Sequence, residues 1–194
     1  MKSSPRVQQL AAALAVAAAL VLPACSSNGS SGPGKNEFVF SSATKLGSVI
    51  KAADRKKADD FTGTLIDGGK TKLSDDAGKV VVVNFFGSWC GPCKAETPGL
   101  QALYTQVKSK GVQLVGIDIK DDRDNATSFL KQVGVTYPVI YDFPGKTIIK
   151  LGNPPGSPPF SYLIDKSGKV AAVYLGALSA KDLEPVIDKL LAEQ

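Results

Sequence analysis

A run of β-branched and aromatic residues leads directly into two closely spaced cysteines, and this junction constrains the fold more than any other part of the chain. Residues 79–86 (Lys-Val-Val-Val-Val-Asn-Phe-Phe) are almost continuously apolar, which is typical of a strand that is buried on both faces. Residues 94–104 carry apolar side chains at helical spacing. The pattern predicts that Cys90 directly precedes a helix and that Cys93 lies inside its first turn.

The position of Cys90 ahead of a helix predicts redox chemistry. Free N–H groups and the helix dipole favour an anion at a helix N-terminus, so a thiol at that place loses its proton more easily. The thiolate is the reactive species of a cysteine. We therefore predict a redox-active pair at Cys90 and Cys93.

Two other interpretations of the cysteine pair are weaker. Half of a zinc site would need further ligands, whereas the chain has no histidine and one other cysteine, Cys25, far away in the sequence. We therefore expect no metal site, and no motif calls for a cofactor. A merely structural disulfide that closes so short a loop would constrain the unfolded chain little.

The N-terminal segment has the pattern of a secretory signal. Lys2 and Arg6 precede an apolar stretch over residues 10–22, which is short for a membrane span of about 20 apolar residues. The sequence Leu-Pro-Ala before Cys25 is similar to a bacterial lipobox. We predict a lipoprotein signal peptide over residues 1–24 and a lipid anchor on Cys25, which attaches the protein to the membrane. The alternatives are an ordinary signal peptide cut nearby or an uncleaved anchor.

The composition changes again after Cys25. Residues 26–36 (Ser-Ser-Asn-Gly-Ser-Ser-Gly-Pro-Gly-Lys-Asn) contain no apolar side chain to bury, which predicts a flexible tether over about residues 25–45. Residues 46–194 are then expected to form a single domain. The formal charge of +5 is spread along the chain among acidic residues, so we predict no nucleic-acid partner.

The remaining periodicities indicate a mixed α/β domain. The pattern β-α-β-α-β-β-α predicts a mixed sheet with helices on both faces. The elements expected, beside the strand and helix at the cysteines, are a short extra strand at 38–40, a hairpin over 65–74, strands at 112–119, 138–141, 160–164 and 169–175, a helix over about 123–133 capped by Asp121-Asp122, and a last helix from Ser179 toward Glu193.

Three segments together resemble a known family. They are Val-Val-Asn-Phe-Phe-Gly-Ser-Trp-Cys-Gly-Pro-Cys-Lys-Ala-Glu-Thr-Pro (82–98), Tyr-Pro-Val-Ile-Tyr-Asp (137–142) and Pro-Pro-Phe-Ser-Tyr-Leu-Ile-Asp (158–165). Over about residues 61–191 the chain resembles the TlpA/ResA-like group of extracytoplasmic thiol–disulfide oxidoreductases. The resemblance implies a thioredoxin fold, in which a central mixed β-sheet is flanked by helices, with an N-terminal β-hairpin extension.

The resemblance also implies roles for the cysteines and a nearby glutamate. Cys90 is expected to be the exposed nucleophile that attacks a disulfide in a partner protein, and Cys93 the buried resolving thiol. Glu96 matches an acidic residue of the group and lies three positions after Cys93, on the same helix face. A partly buried carboxyl there is expected to have a raised pKa and to relay the proton of Cys93. The alternative is a solvated glutamate. Thioredoxin has a buried aspartate where this chain has Asn84.

The groove that binds the substrate is expected to lie beside Trp89, Pro158 and Pro159. Pro159 matches the cis-proline of the family, opposite the cysteines, and prolyl bonds are the ones that adopt cis at low cost. The alternative is a trans bond in a proline-rich loop. Pro158 stands where the family usually has a residue with a backbone N–H, and proline has none to donate to a substrate. Trp89 is expected to be exposed and to line the groove.

The function that the resemblance implies is the reduction of disulfides in protein substrates on the outer face of the bacterial cell membrane. A pathway such as cytochrome c maturation would use it, and a membrane thiol transporter would supply the electrons. An oxidant of folding proteins is one alternative. A peroxiredoxin-like peroxidase is another, although Val83 and Gly87 replace the proline and threonine of that family's motif. A copper chaperone of the Sco type would need a histidine and a wider cysteine spacing.

Overall fold

The computed structural model describes residues 38–41, 44 and 46–193. The predicted signal peptide (1–24), Cys25 and most of the predicted tether lie outside the described residues. Among the residues that are described, no helix is long and apolar enough to cross a membrane.

The described chain forms seven strands and four α-helices. In chain order they are β1 (Thr62–Thr64), β2 (Lys70–Lys72), β3 (Val80–Phe86), α1 (Gly91–Val107), β4 (Val112–Ile119), α2 (Arg123–Val133), β5 (Val139–Asp142), α3 (Lys146–Lys150), β6 (Phe160–Ile164), β7 (Val170–Leu175) and α4 (Ala180–Ala192). Short 3₁₀ turns cover Ala52–Asp54, Leu73–Asp76 and Lys108–Lys110.

Five of the strands form the central mixed sheet in the order β5-β4-β3-β6-β7. Strands β3, β4 and β5 are parallel, whereas β6 is antiparallel to both β3 and β7. β3 is the central strand and all of its residues are buried, which explains its continuously apolar sequence. The register pairs Phe86 with Asp118, so the parallel strands β3 and β4 have their carboxyl ends side by side, where α1 begins.

One face of the sheet packs against α1, α2 and α4. Val82 and Phe86 of β3 form a buried cluster with Leu103 of α1, Phe129 of α2 and Ile187 of α4. Right-handed crossovers place α1 and α2 on the same face because β3, β4 and β5 follow one another in a single direction across the sheet.

The other face is covered mainly by the segment that precedes β3. Phe61 and Leu73, on either side of the β1–β2 hairpin, are buried against Val83 and Tyr162 of the sheet. Leu151, directly after α3, completes this second cluster. Helices therefore cover both faces, as the sequence predicted, but this face carries a single short helix and the N-terminal extension.

The N-terminal extension also protects both edges of the sheet. The N–H groups of Gly47 and Ile50 donate to carbonyl oxygens of edge strand β7. At the opposite edge, the N–H of Ile66 in the hairpin turn donates to Val139 of β5. Exposed edge strands invite pairing with other chains, and both edges are occupied here.

Most of the predicted elements are confirmed, with differences at the N-terminal side. The hairpin exists, but its first strand, Thr62–Thr64, lies before the predicted range of 65–74, and Leu65 belongs to the connection to β2. Helix α3 was not predicted, since five residues are too few to establish a period. Residues 38–40 do not form the predicted strand; Phe38 instead packs edge-on against Tyr162. The packed body thus includes Phe38, eight residues before the predicted domain start.

Candidate active site

Cys90 and Cys93 form a disulfide at the start of α1, with an S–S distance of 2.05 Å. Cys90 is the N-cap residue, and its sulfur accepts a hydrogen bond from the N–H of Cys93 at 3.2 Å. Pro92 occupies the first turn, where its missing N–H leaves no helix hydrogen bond unmade. The predicted placement of the two sulfurs at the helix N-terminus is confirmed.

The two cysteines differ in their access to solvent. Cys93 is completely buried, whereas Cys90 retains 5% of its surface. Trp89, directly before Cys90, is 50% exposed, and its indole N–H donates to the carbonyl of Ile119 at 3.3 Å. The sequence predicted an exposed Cys90, whereas in the structure Cys90 is largely buried and the carbonyl oxygen of Pro158 lies 3.4 Å from its sulfur.

Glu96 lies on the buried side of α1, one turn after Cys93. Its Oε1 accepts a hydrogen bond from the side-chain amide of Asn84 at 2.8 Å, and its Oε2 accepts one from the N–H of Leu178 at 2.8 Å. The alternative of a solvated glutamate is therefore wrong, because Glu96 is only 5% exposed. Asn84 also donates to the hydroxyl of Ser161 in β6 at 3.1 Å.

Burial raises the pKa of Glu96 above its ordinary value near 4.5, although the hydrogen bonds from Leu178 and Asn84 favour the charged form and oppose part of the shift. The carboxyl group therefore stays protonated to higher pH than a surface glutamate does. Such a group, at i+3 from the fully buried Cys93, is a stronger base than a surface glutamate and is suited to exchange a proton with that thiol.

The bond between Pro158 and Pro159 is cis, as predicted. The carbonyl oxygen of Pro158 lies 3.4 Å from the sulfur of Cys90. The carbonyl oxygen of Pro159 accepts a hydrogen bond from the N–H of Gly176, which ties this loop to the end of β7. Of the residues predicted to line the groove, Trp89 directly precedes Cys90, Pro158 places its carbonyl oxygen near the Cys90 sulfur, and Pro159 follows Pro158 through the cis bond.

The structure adds a carboxylate that supports the cysteine loop. Asp121 accepts hydrogen bonds from both the N–H and the hydroxyl of Ser88, the latter at 3.0 Å. The sequence predicted that Asp121-Asp122 caps α2, but only Asp122 does so, through the N–H groups at the helix start. No local signal links Asp121 to Ser88, which is 33 positions away.

Asp118 is a second acidic residue that the sequence did not single out. It is fully buried near the end of β4, and no N–H or hydroxyl group of the described residues donates to either of its carboxyl oxygens. Burial raises the pKa of Asp118 to about 8; the negative charge of Asp121 and a hydrogen bond to the Asp121 carboxyl group also raise it, while Arg123 lowers it. Asp118 therefore keeps its proton to higher pH than a surface aspartate does.

No group of histidine, cysteine, aspartate and glutamate side chains in the described part of the chain has the arrangement of a metal site.

Comparison with known proteins identifies the family. Residues 55–173, more than half of the chain, match the sequence model of the AhpC/TSA family. The thiol-disulfide oxidoreductase ResA of Bacillus thuringiensis (strain Al Hakam) is 37% identical over 135 residues, which cover 70% of this chain and 77% of that protein. The chain belongs to the AhpC/TSA family and is a TlpA/ResA-like thiol–disulfide oxidoreductase.

Solved structures agree with this assignment. A DsbF homologue from Corynebacterium diphtheriae is 34% identical, with a TM-score of 0.74 over 79% of this chain and 99% of that chain. A secreted thiol-disulfide isomerase from Corynebacterium glutamicum is also 34% identical, with a TM-score of 0.75 over 80% of this chain and 98% of that chain. The thioredoxin fold of the TlpA/ResA-like oxidoreductase is therefore confirmed.

Proposed function

We propose that this TlpA/ResA-like protein reduces disulfides in protein substrates outside the cytoplasm, with Cys90 as nucleophile, Cys93 as resolving thiol and Glu96 as proton carrier. The observation that supports these roles most directly is the disulfide at the N-cap of α1, in which Cys90 alone retains exposed surface. A substrate thus reaches Cys90 first, and Cys93 acts only within the protein.

The reaction begins from the reduced dithiol. The Cys90 thiolate attacks one sulfur of the substrate disulfide, which forms a mixed disulfide and releases the other substrate sulfur as a thiolate that takes up a proton. Deprotonated Cys93 then attacks the sulfur of Cys90. The second substrate sulfur leaves as a thiolate, so the substrate gains two electrons and the Cys90–Cys93 disulfide forms.

Glu96 carries the proton that the second step requires. Cys93 is completely buried, and burial disfavours its thiolate, so an adjacent base is needed. The raised pKa of Glu96 matches it to this transfer because its carboxylate is a stronger base than a surface glutamate. Asn84 and Leu178 hold the carboxylate in one position while it accepts the proton.

The dipeptide between the cysteines supports the proposed direction of electron flow. Gly91-Pro92 is the pair found in thioredoxin, whose potential is about −270 mV, and not in the oxidant DsbA at about −120 mV. Reduction, as in cytochrome c maturation with electrons from a membrane thiol transporter, is the function that this favours. Oxidation of folding proteins is the second candidate, because the reduction potential of a dithiol–disulfide pair decides in which direction it passes electrons.

Two experiments test this proposal. A reduction potential measured against glutathione is expected near that of thioredoxin, and a value near that of DsbA would replace the reductase with the oxidant. Cys93→Ser is expected to trap a mixed disulfide with the substrate, which a non-reducing gel displays and which Cys90→Ser, the matched control, does not form.

Attachment to the membrane is part of the same proposal. The predicted signal and Cys25 would leave a lipidated N-terminus, with the tether spanning roughly 18 Å in the flexible-chain estimate. Cys25→Ala is expected to release the protein from the membrane fraction into the medium or the periplasm. Retention of Cys25→Ala in the membrane fraction argues for an uncleaved anchor.

A further inference from the structure

The loop that carries Cys90 is held by the segment that follows β4. Residues 87–90 join β3 to α1, and the N–H of Cys90 donates to the carbonyl of Gly87 at 3.0 Å, which closes the loop into a turn. Within this turn, Ser88 donates to Asp121 through both its N–H and its hydroxyl. The position of Cys90 therefore depends on Asp121 as well as on α1.

Asp121 is held in place by its own hydrogen bonds. It is only 4% exposed; its Oδ1 accepts the hydroxyl of Ser88 at 3.0 Å, and its Oδ2 accepts the N–H of the same residue. Its backbone carbonyl accepts a hydrogen bond from the hydroxyl of Tyr141 in β5 at 2.9 Å. A hydrogen bond to a charged carboxylate is roughly twice as strong as one between neutral groups, so ionised Asp121 holds Ser88 firmly.

Asp118 lies beside this contact and is completely buried. Its register partner in β3 is Phe86, two positions before Ser88. Among the described residues no N–H or hydroxyl donates to its carboxyl oxygens, and a buried carboxylate without donors is costly. A protonated carboxyl group has an O–H to donate, and the carboxylate of Asp121 is the acceptor within its reach. Each oxygen of Asp121 has a second lone pair, so it accepts from Ser88 and from Asp118 together.

The charges around the two aspartates favour one negative charge on them over two. Burial first, and then the charge of Asp121 and the hydrogen bond to it, raise the pKa of Asp118 to about 8, and Arg123 lowers it by less. The guanidinium of Arg123 is also engaged elsewhere, since it donates to the carbonyl of Ile66 at 2.9 Å. Ionisable groups approach the two aspartates from three elements: Asp122 and Arg123 from α2, Tyr141 from β5 and Lys94 from α1.

We propose that Asp118 and Asp121 share one proton as an acid–carboxylate pair, and that this pair positions Cys90 by holding Ser88. The inference rests on the proposed function, since the position of Cys90 matters for its attack on a disulfide. With the proton in place the pair carries one charge, and both hydrogen bonds to Ser88 are kept. When Asp118 gives up its proton to the solvent, two negative charges face each other at close range and the contact with Ser88 loosens.

Trp89 reports the state of the pair without any turnover. It is the single tryptophan of the chain, and it directly follows Ser88. In the full-length protein with its disulfide intact, the two cysteines do not titrate. The fluorescence of Trp89 is therefore expected to change with pH around a midpoint at about 8, the pKa of Asp118.

Three variants assign this midpoint. Asp118→Asn is expected to abolish it, because an amide donates to Asp121 at every pH. Asp124→Asn, the matched control, removes an equal charge from the exposed first turn of α2 and is expected to keep it. Glu96→Gln, which removes a second buried carboxyl with a raised pKa, is expected to keep it as well.

The rate of attack by Cys90 shows whether the pair positions the nucleophile. The measurement is single-turnover reduction of hydroxyethyl disulfide by the fully reduced protein. At about pH 9 most of the wild-type Asp118 is ionised, and Asp118→Asn is expected to react about fivefold faster, the factor that one hydrogen bond is worth. At about pH 6 the wild type still has its proton, so the two proteins are expected to react equally fast.

Each part of the inference has an outcome that overturns it. A wild-type midpoint that is missing, or one that persists in Asp118→Asn, overturns the shared proton, and the wild type alone decides this if the variant does not fold. Equal rates of wild type and Asp118→Asn at both pH values overturn the positioning of Cys90. Failure to reduce hydroxyethyl disulfide overturns the proposed function instead; the fluorescence of Trp89, and alkylation of Cys90 by iodoacetamide at the same two pH values, then decide the inference by themselves.

Discussion

The two sides of Cys90 differ in the burial and polarity of the residues that form them. Toward α1 the groups are buried and polar, and Glu96 has a hydrogen-bond donor on each of its two oxygens. Toward the cis-proline the surface is open and carries large exposed apolar side chains, with Trp89 half exposed and Ile149 more so. The reacting sulfur lies at the boundary between these two regions.

The difference shows that proton handling and substrate recognition make opposite demands. Burial makes a carboxylate a stronger base by raising its pKa, and a buried carboxylate needs hydrogen bonds to its oxygens. A surface that binds many protein substrates must instead stay accessible, and apolar contacts tolerate varied sequences because they have no fixed direction. Each side of Cys90 meets one of these demands.

The sulfur at the boundary is expected to matter most, since both sides act through it. Cys90→Ser should reduce the rate with any disulfide by at least about 10³-fold, because no other nucleophile is exposed at the helix N-terminus. Cys93→Ser should retain the first attack and stop at the mixed disulfide. Stopped-flow measurement of the first thiol released distinguishes the two variants, and a fast release by Cys90→Ser would contradict the assignment.

Asp118 tests whether the burial of a carboxyl group lowers the free energy of unfolding where no N–H or hydroxyl group donates to it. Its pKa is raised from 3.8 to about 8, so the folded protein keeps a proton that the unfolded chain loses above pH 4. Stability from this group therefore falls as the pH rises from about 4 to 8. Asp118→Asn should raise the free energy of unfolding at pH 8 by about 2 kcal/mol, roughly 30-fold in the unfolding constant.

Urea unfolding at pH 5 and pH 8 measures this effect. The increase in the free energy of unfolding that Asp118→Asn causes should be larger at pH 8 than at pH 5, because the unfolded wild-type chain is fully ionised at this position while the folded protein still disfavours the charge. Asp121→Asn is the control: Asp121 accepts two hydrogen bonds from Ser88, so its neutralisation should destabilise the protein. A destabilised Asp118→Asn would mean that the charge of Asp118 has a partner.

Glu96→Gln probes the hydrogen-bonded carboxyl itself. The resolving step should slow by about tenfold at pH 7, and its rise with pH, which follows ionisation of Glu96 at a pKa above 4.5, should disappear. The pH profile of single-turnover disulfide exchange is the measurement. Glu184→Gln, which changes a glutamate of α4 outside the site, should keep the wild-type profile, and a Glu96→Gln profile of the same shape would retire the proton-carrier role.

Trp89→Ala addresses the open side and has the smallest expected effect. Loss of this half-exposed wall should raise KM for a peptide disulfide by about fivefold, in line with ~1 kcal/mol for one contact at an interface. The rate with hydroxyethyl disulfide should change little, since that compound makes no contact beyond the sulfur. A parallel loss with both substrates would show that Trp89 positions Cys90 and does not bind substrate.

Local sequence was sufficient where neighbouring residues decide the structure. The strand Val80–Phe86 follows from its unbroken apolar run, and α2 from an aspartate cap and a terminal glycine with φ 74°. The cysteines at the N-terminus of α1 follow from the same periodicity. The family resemblance added two predictions that spacing alone cannot make, namely the cis bond before Pro159 and a partly buried Glu96 with a raised pKa.

The partners of those residues were settled by the tertiary structure alone. Glu96 accepts a hydrogen bond from Leu178, which is 82 positions away. Asp121 accepts one from Ser88 because the parallel register brings the ends of β3 and β4 together. Periodicity determines which way a side chain faces within its own strand or helix, whereas burial and pKa depend on contacts between segments far apart in sequence.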